Sequence, residues 1–300
     1  MGRKLVKQGK DALTISLPRK WLDKFNLKQG DELEVSEEDN RIVFYTKEHI
    51  AKKKSTLDVS GFNYKTIYNL LNFSYIKGYD EIVVKFEKEN ELESVKYFIP
   101  NLIGFAIIKE TKNECILKDM GNTTVEDIDE VIKRIFTLVN SYIDDAITDI
   151  KVGSTSNKDY IISRDKDINK LVSLALRSLN KKTVISKEHS QALFNVLIIL
   201  EHLGDDIGRF WRVACEHKLK SNEEVEQSMQ FAKESIDKIF QIYYRFNKKN
   251  IDELLIIRDN ARKDWNKKRT NISHIRFSRH TLQICEECAD MMQSIFMIRL

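Results

Sequence analysis

Two pairs of carboxylates recur at the same spacing in the C-terminal half of the chain. Glu201 and Asp205 form one pair, and Glu286 and Asp290 form the other. Residues four apart lie on one face of a helix, so each pair concentrates negative charge on one surface. Hard oxygen ligands of this kind bind divalent or ferric ions. The spacing indicates a cation site; the alternative is a surface pair neutralised by Lys or Arg of a neighbouring helix.

The first 50 residues have a lopsided charge that suits docking on nucleic acid. Residues 1–28 hold eight Lys or Arg against two Asp, whereas residues 29–50 hold two basic residues against seven acidic ones. A small module with one basic edge can bind phosphates. The alternative is a solvated face on a dimerisation domain. The basic residues are Arg3, Lys4, Lys7, Lys10, Arg19, Lys20, Lys24 and Lys28.

Residue patterns typical of enzymes are missing from the sequence. It has no Gly-rich phosphate loop, no Gly-x-Ser-x-Gly elbow and no Glu-x-x-His of the kind that di-iron helical bundles use. Cys285 and Cys288 form a lone Cys-x-x-Cys, which predicts core-facing thiols, with a redox or metal role as the alternative. We therefore predict a protein that is not an enzyme.

Composition and charge limit the classes of protein that fit. The 300 residues are 32% charged with a net charge of +4, so any nucleic-acid binding must be local. The longest apolar run is far shorter than a membrane-spanning helix needs, and residues 1–20 lack the apolar stretch of a signal peptide. A cytoplasmic protein is expected.

The elements that must position the basic residues lie in a first domain, predicted over residues 1–48. The pattern predicts a strand, a short helix entered at Pro18, a tight turn at Gly30 and Asp31, and two further strands. A unit this small cannot bury a core alone. It should therefore dimerise by interleaving strands with a second copy.

A small α/β domain is predicted over residues 57–120, after a linker at about 47–60. Helical spacing from Phe62 ends at Gly78, and strands are predicted at 81–86, 105–110 and 114–119, with a helix over 91–103 that is weakened at Pro100. The order β-α-β-α-β-β suggests a two-layer α/β sandwich that carries no chemistry of its own.

Six helices are predicted over residues 122–300, where the acidic pairs lie. Capping boxes at Thr123–Glu126 and Ser221–Glu224 open the first and fourth helices. The segment around Glu201 aligns with that around Glu286, 85 residues later. A repeat of this length favours tandem three-helix bundles, at 122–217 and 221–300.

The helical part resembles the PhoU family of phosphate-uptake regulators. The run Leu200–Ile207 is similar to the family's Glu-Arg-Ile-Gly-Asp-His-Ala motif, and Asp165–Leu171 is similar to the run on its middle helix. The resemblance implies tandem three-helix bundles that act with a phosphate transporter ATPase or its signalling kinase. Asn169 and Lys248 depart from the acidic pattern. The implied ligands for divalent or ferric ions are Asp165, Glu201, Asp205, Asp252, Glu286 and Asp290.

The N-terminal part resembles the AbrB/SpoVT/MazE family of swapped-hairpin DNA-binding domains. Leu13–Trp21 and Leu27–Val35 carry the similarity, and the full order of domains resembles an archaeal regulator. The resemblance implies a homodimer that binds double-stranded DNA, with Arg19 as first choice for a contact to a base edge. The DNA-contacting residues would be Arg3, Lys4, Lys7, Lys10, Arg19 and Lys20.

The resulting hypothesis is a DNA-binding transcriptional regulator of phosphate uptake, with a helical sensing domain. The alternative is an adaptor that docks on a transporter ATPase or signalling protein and uses the N-terminal unit only to dimerise. Alone, the N-terminal unit would fit an antitoxin that covers a toxin equally well.

Overall fold

The chain forms two compact units, residues 1–52 and 53–300. The computed structural model describes residues 2–9, 12–38, 41–46, 53–125, 127–153, 158–181, 187–267 and 271–300. Within these ranges no helix is long and apolar enough to cross a membrane.

The N-terminal unit consists of two hairpins around a short helix. Strands β1 (Val6–Gln8) and β2 (Ala12–Thr14) pair antiparallel, helix α1 spans Arg19–Lys24, and β3 (Leu33–Glu38) pairs with β4 (Arg41–Thr46). Pro18 holds the N-cap with φ −64°, and Gly30 has φ +96°, a left-handed value that favours glycine. The predicted helix, turn and two following strands are confirmed, whereas the single strand predicted before the helix is a hairpin of β1 and β2.

No side chain of this unit is buried in the part that the structure describes. Apolar residues that would normally form a core remain in contact with solvent, including Leu13 at 63% and Ile42 at 58% exposure. Because exposed apolar surface on this scale marks an interaction site, the unit is an incomplete fold by itself.

The second unit begins with a four-stranded sheet. Its strands are β5 (Lys54–Asp58), β6 (Glu81–Lys85), β7 (Phe105–Glu110) and β8 (Glu114–Asp119), in the order β5-β6-β8-β7. Strand β5 runs parallel to β6, and the other pairs are antiparallel. β5 begins inside the stretch predicted as linker, because Ser55 and Leu57 alternate inward as a strand requires.

Two helices cover one face of this sheet. Helix α2 spans Tyr64–Ile76 and helix α3 spans Glu89–Phe98, followed by a 3-10 turn at Ile99–Asn101 that contains Pro100. Gly78 follows α2 with φ +83°, as predicted. The core between the helices and the sheet contains Ile67, Leu71, Ile82, Val84 and Leu117, each with no solvent exposure.

Six long helices make up the remainder of the described chain. They are α4 (Ile128–Val152), α5 (Lys158–Lys181), α6 (Lys187–Glu216), α7 (Glu223–Tyr244), α8 (Lys248–Trp265) and α9 (Ile272–Arg299). Helices α4, α5 and α6 pack against one another, as do α7, α8 and α9, and α6 packs along α9. One continuous apolar core joins them.

Both predicted capping boxes are wrong. Helix α4 is capped by Asp127, which accepts a hydrogen bond from the N–H of Glu130, while the Thr123 hydroxyl donates to Asp119 instead. Helix α7 is capped by Asn222. In each case a nearby Asx residue offers a carboxylate or amide oxygen in a position suited to the first turn.

Cys285 and Cys288 are both buried, as the core interpretation predicted. The Cys285 thiol lies 3.3 Å from the Ser235 hydroxyl. Burial raises the pKa of the Cys285 thiol to about 12, so the thiolate is disfavoured.

Candidate nucleic-acid interface and acidic helix sites

The predicted DNA-contacting residues that the structure describes are all exposed. Arg3 and Lys4 precede β1, Lys7 lies on β1 opposite Leu13 of β2, and Arg19 and Lys20 open α1. Lys10 lies outside the described residues. Exposed cations on one hairpin and one helix can reach phosphates without rearrangement of a core.

Arg19 lies in the first turn of α1 with its side chain 86% exposed. Its Nε lies 3.0 Å from Oδ1 of Asp23, one helical turn later. Exposed pairs of this kind contribute little to stability. The guanidinium of Arg19 can therefore exchange Asp23 for a phosphate or a base edge at small cost.

The aromatic residues of α1 pack on each other. The rings of Trp21 and Phe25 lie 5.4 Å apart between centroids, and both side chains are half-buried. The N–H of Lys28 donates to Oδ2 of Asp31 at 2.6 Å and fixes the turn after the helix. These contacts favour a packing role for Trp21 and Phe25 over stacking on bases.

Asp165 of α5 lies close to Glu201 and Asp205 of α6. Burial, together with the charges of Asp205 and Glu201, raises the pKa of Asp165 to about 6. Burial and the charge of Asp205 also raise the pKa of Glu201. Three carboxylates of two helices thus form one acidic cluster, which we call the first acidic cluster.

Two acceptor oxygens of this region are buried without a hydrogen-bond partner among the described residues. They are Oδ1 of Asp165 and Oδ1 of Asn169. Asn169 donates from Nδ2 to Oδ2 of Asp165 at 3.4 Å, which leaves both Oδ1 atoms free. Acceptors without donors are what a cation would satisfy.

Arg209 supplies a counter-charge on the solvent side of the first acidic cluster. Its guanidinium pairs with Asp205, and Nη1 lies 2.8 Å from Oδ1 of Asp206. Asp205 is therefore already partly neutralised, whereas Asp165 and Glu201 have no comparable ion pair with Arg or Lys in the described chain.

Tyr68 of α2, in the α/β part of the chain, lies near the first acidic cluster. Burial raises the pKa of its hydroxyl, and the charges of Glu201, Asp165 and Asp205 raise it further. The first acidic cluster is therefore adjacent to helix α2 as well as lying between α5 and α6.

In the second acidic pair, Glu286 accepts two hydrogen bonds from Arg262 of α8, at 2.5 and 2.7 Å. The assignment of Asp252 to this site stays a prediction. Asp252 and Arg262 are ten residues apart on α8, about 15 Å along the helix axis. Asp290 is exposed and Asp259 lies beside Arg262, so Arg262 holds the place where a cation was predicted.

The fit to a metal ion thus differs between the two halves. In the described part of the chain, no group of three or more His, Cys, Asp or Glu is arranged to hold a metal ion. The first acidic cluster has orphaned oxygens, whereas the second pair is neutralised by Arg262. The metal assignment stays a prediction, and the residues do not fit it in the second half.

Sequence reasoning missed Arg209, Asp259 and Arg262. The Asp205–Arg209 spacing of four was a readable signal for a surface ion pair. Asp259 and Arg262 were missed because the aligned segments around Glu201 and Glu286 lie on α6 and α9 and carry no information on α8.

The N-terminal unit matches a known protein family. Residues 6–52 match the family described as antidote-toxin recognition MazE, bacterial antitoxin. No curated protein and no solved structure matches the chain. The resemblance predicted for the N-terminal part is therefore confirmed, and residues 6–52 carry a MazE-type antitoxin domain.

Proposed function

We propose that this protein is a DNA-binding transcriptional regulator that acts as a homodimer. The proposal rests above all on the N-terminal unit, which matches a MazE-type domain and buries no side chain among its described residues. Its exposed Leu5, Val6, Leu13, Val35 and Ile42 supply apolar surface that a second copy would cover.

Dimerisation would double the basic surface. Arg3, Lys4, Lys7, Lys10 and Lys20 are assigned to phosphates, which supply affinity without sequence information. Arg19 is assigned to a base edge, because its planar fork can donate two hydrogen bonds to guanine. A homodimer of this kind would bind two half-sites.

Gel-shift titration at several salt concentrations tests this function. Arg19→Ala with Lys20→Ala should weaken binding about 10- to 100-fold and reduce the salt slope by about two. Lys65→Ala with Lys112→Ala removes two exposed cations from the second unit and serves as the control. Binding that does not depend on salt, or an equal loss of DNA affinity in both double variants, would contradict the DNA-binding function.

We further propose that the helices sense phosphate status or a partner of phosphate transport. Support comes from the repeated Glu-x-x-x-Asp motifs and from the proximity of Asp165 to Glu201 and Asp205. The regulated genes would then respond to phosphate supply. Transcript profiles of a deletion strain at high and low phosphate test this. Transcripts that do not differ from wild type at either phosphate concentration would contradict it.

As part of this proposal, a divalent or ferric ion would bind at the first acidic cluster and not at the second acidic pair. Asp165, Glu201 and Asp205 would hold it after a rearrangement of their side chains, because the described structure does not arrange them as a ligand set. The two buried acceptors there that lack donors support this assignment. The ion would neutralise like charges and order α5 against α6. Metal analysis of the purified protein, with Asp165→Asn as control, tests the assignment.

The adaptor remains the second candidate, because exposed apolar strands support dimerisation whether or not DNA is bound. It predicts recovery of a transporter ATPase with the tagged protein and no shift of DNA. A DNA-binding regulator predicts the opposite result, and a location in the cytoplasm.

A further inference from the structure

The sheet of the second unit has one face covered by its own helices and one face without such a cover. Ile82, Val84, Cys115 and Leu117 point to the helices and have no exposure to solvent. The alternate residues of the same strands are half-buried or exposed. We call the second side the open sheet face.

The middle of the open sheet face is an uncharged row across three strands. Val83 of β6 is paired with Thr56 of β5 on one side and with Ile116 of β8 on the other. Val83 and Ile116 are half-buried, although they lie outside the core between helices and sheet. β-branched side chains at this position resemble the inner layer of a sheet sandwich.

Charged rows flank the uncharged row on both sides, and their signs are opposite at every strand. Within one sheet, Nζ of Lys54 forms an ion pair with Oε1 of Glu81 at 2.8 Å. The first row, across β5, β6 and β8, consists of Lys54, Glu81 and Lys118. The second row, across the same strands, consists of Asp58, Lys85 and Glu114.

We propose that the open sheet face packs against the open sheet face of a second copy of this chain, with the twofold axis along the uncharged row. This rotation turns the first charged row of one copy onto the second charged row of the other, so every charge meets its opposite. A twofold axis along the strands would instead place Lys54 over Lys118. The facing pairs are Lys54 with Asp58, Glu81 with Lys85, and Lys118 with Glu114.

The geometry agrees with known sheet packing. Two sheets that face each other keep their strands within about 30° and lie about 10 Å apart. The uncharged row would then meet its own copy, with Thr56, Val83 and Ile116 on the axis. Lys109, which pairs with Ile116 from the edge strand β7, is exposed and can extend into solvent at the rim.

The contact is too small to hold a dimer alone. Three strands and five residues cover about 15 Å in each direction, well below the roughly 800 Å² per partner of a typical stable interface. This inference therefore rests on the proposed homodimer, whose N-terminal contact would raise the effective concentration of one sheet for the other to the millimolar range.

Cysteine cross-linking in the full-length protein tests the contact. Ile116→Cys, in a Cys215→Ser background, places one cysteine of each copy on the axis, with the two Cα atoms about 10 Å apart and so beyond the roughly 7 Å that a disulfide spans. A short bismaleimide should link these thiols about tenfold more than in Lys112→Cys, since Lys112 lies outside the face. Lys54→Cys, off the axis, should behave like the control.

Charge reversal tests the orientation in the same cross-linking background. Lys118→Glu should lower the cross-linked fraction about tenfold, because Glu114 of the other copy would face a like charge twice. Adding Glu114→Lys should restore it. Both changes also alter pairs within one sheet, so thermal melting must show that each variant is folded; Lys112→Glu is the matched control.

Three results would overturn the inference. They are equal cross-linking of Ile116→Cys and Lys112→Cys, equal cross-linking of Ile116→Cys and Lys54→Cys, and failure of Glu114→Lys to rescue Lys118→Glu. If the protein is dimeric and binds DNA but gives any of these results, the proposed function stands and this contact does not. If the thiols at position 116 cross-link in a protein that does not bind DNA, the contact stands and that function does not.

Discussion

Arg177 of α5 donates from Nη2 to Oδ2 of Asp119 at the end of β8, at 2.8 Å, with neither side chain more than 1% exposed. Nη1 of Arg177 also donates to the backbone oxygens of Tyr75 and Tyr79. The guanidinium thereby joins the long helices to the α/β part with directed hydrogen bonds. Buried charges persist when their partners are present and their hydrogen bonds are complete.

Arg177→Met is expected to lower the free energy of unfolding by about 3 to 5 kcal/mol, because it leaves Asp119 buried without its principal cation. Urea denaturation measures the change. Arg164→Met is the matched control, since Arg164 pairs with Asp145 where both side chains are at least 20% exposed. A loss below about 1 kcal/mol is expected there, and equal losses would contradict the role of Arg177.

Acid should weaken the same contact. Burial raises the pKa of Asp119, but hydrogen bonds from Thr123 and Arg177 outweigh burial and hold that pKa below its ordinary value of 3.8. A depressed pKa contributes stability that is present above the unfolded value and lost as pH falls through the folded value. The difference in unfolding free energy between wild type and Asp119→Asn should thus be constant above pH 5 and shrink below about pH 4. A difference that grows on acidification would contradict this assignment.

Asp165→Asn is expected to stabilise the protein at pH 7 by about 1 to 2 kcal/mol, because it removes one of three neighbouring carboxylates while part of the side chain still meets solvent. Calorimetric melting in the presence of a chelator measures the change. Asp205→Asn should bring no such gain, since Asp205 already has Arg209 as its counter-charge. Destabilisation by Asp165→Asn would show that Asp165 has a cationic partner.

Leu13→Ser should weaken self-association of the full-length chain by at least about tenfold, since its side chain is 63% exposed in the single unit and would be covered in the dimer. Sedimentation velocity measures the monomer fraction. Phe73→Ser alters a side chain on α2 with the same 63% exposure and serves as the control. If both variants associate like wild type, the N-terminal strands are not the dimer contact.

Periodicity was sufficient to predict the long helices and the later strands, but not β5, which lies in the stretch predicted as linker. Strands β7 and β8 are found at the predicted 105–110 and 114–119, because alternation of apolar residues reports directly on a half-buried sheet. The sequence pattern predicts a helix over 160–179, and α5 extends this range by two residues at each end, since its apolar stripe stops before its polar terminal turns.

Contacts between distant segments could not be predicted. Arg177 lies among apolar residues of α5, and its partner Asp119 is 58 residues away. Thr123 was predicted to cap a helix, but the Asp119 carboxylate competes for its hydroxyl.

The joint at Arg177 also determines where the chain can be divided. A fragment that begins near residue 122 would retain Arg177 and Lys181 but lose Asp80 and Asp119, the carboxylates that face them. Such a fragment would carry two unsatisfied cations on a surface that had been interior, and poor solubility is expected. The shortest autonomous helical piece therefore begins at residue 53, with the sheet included.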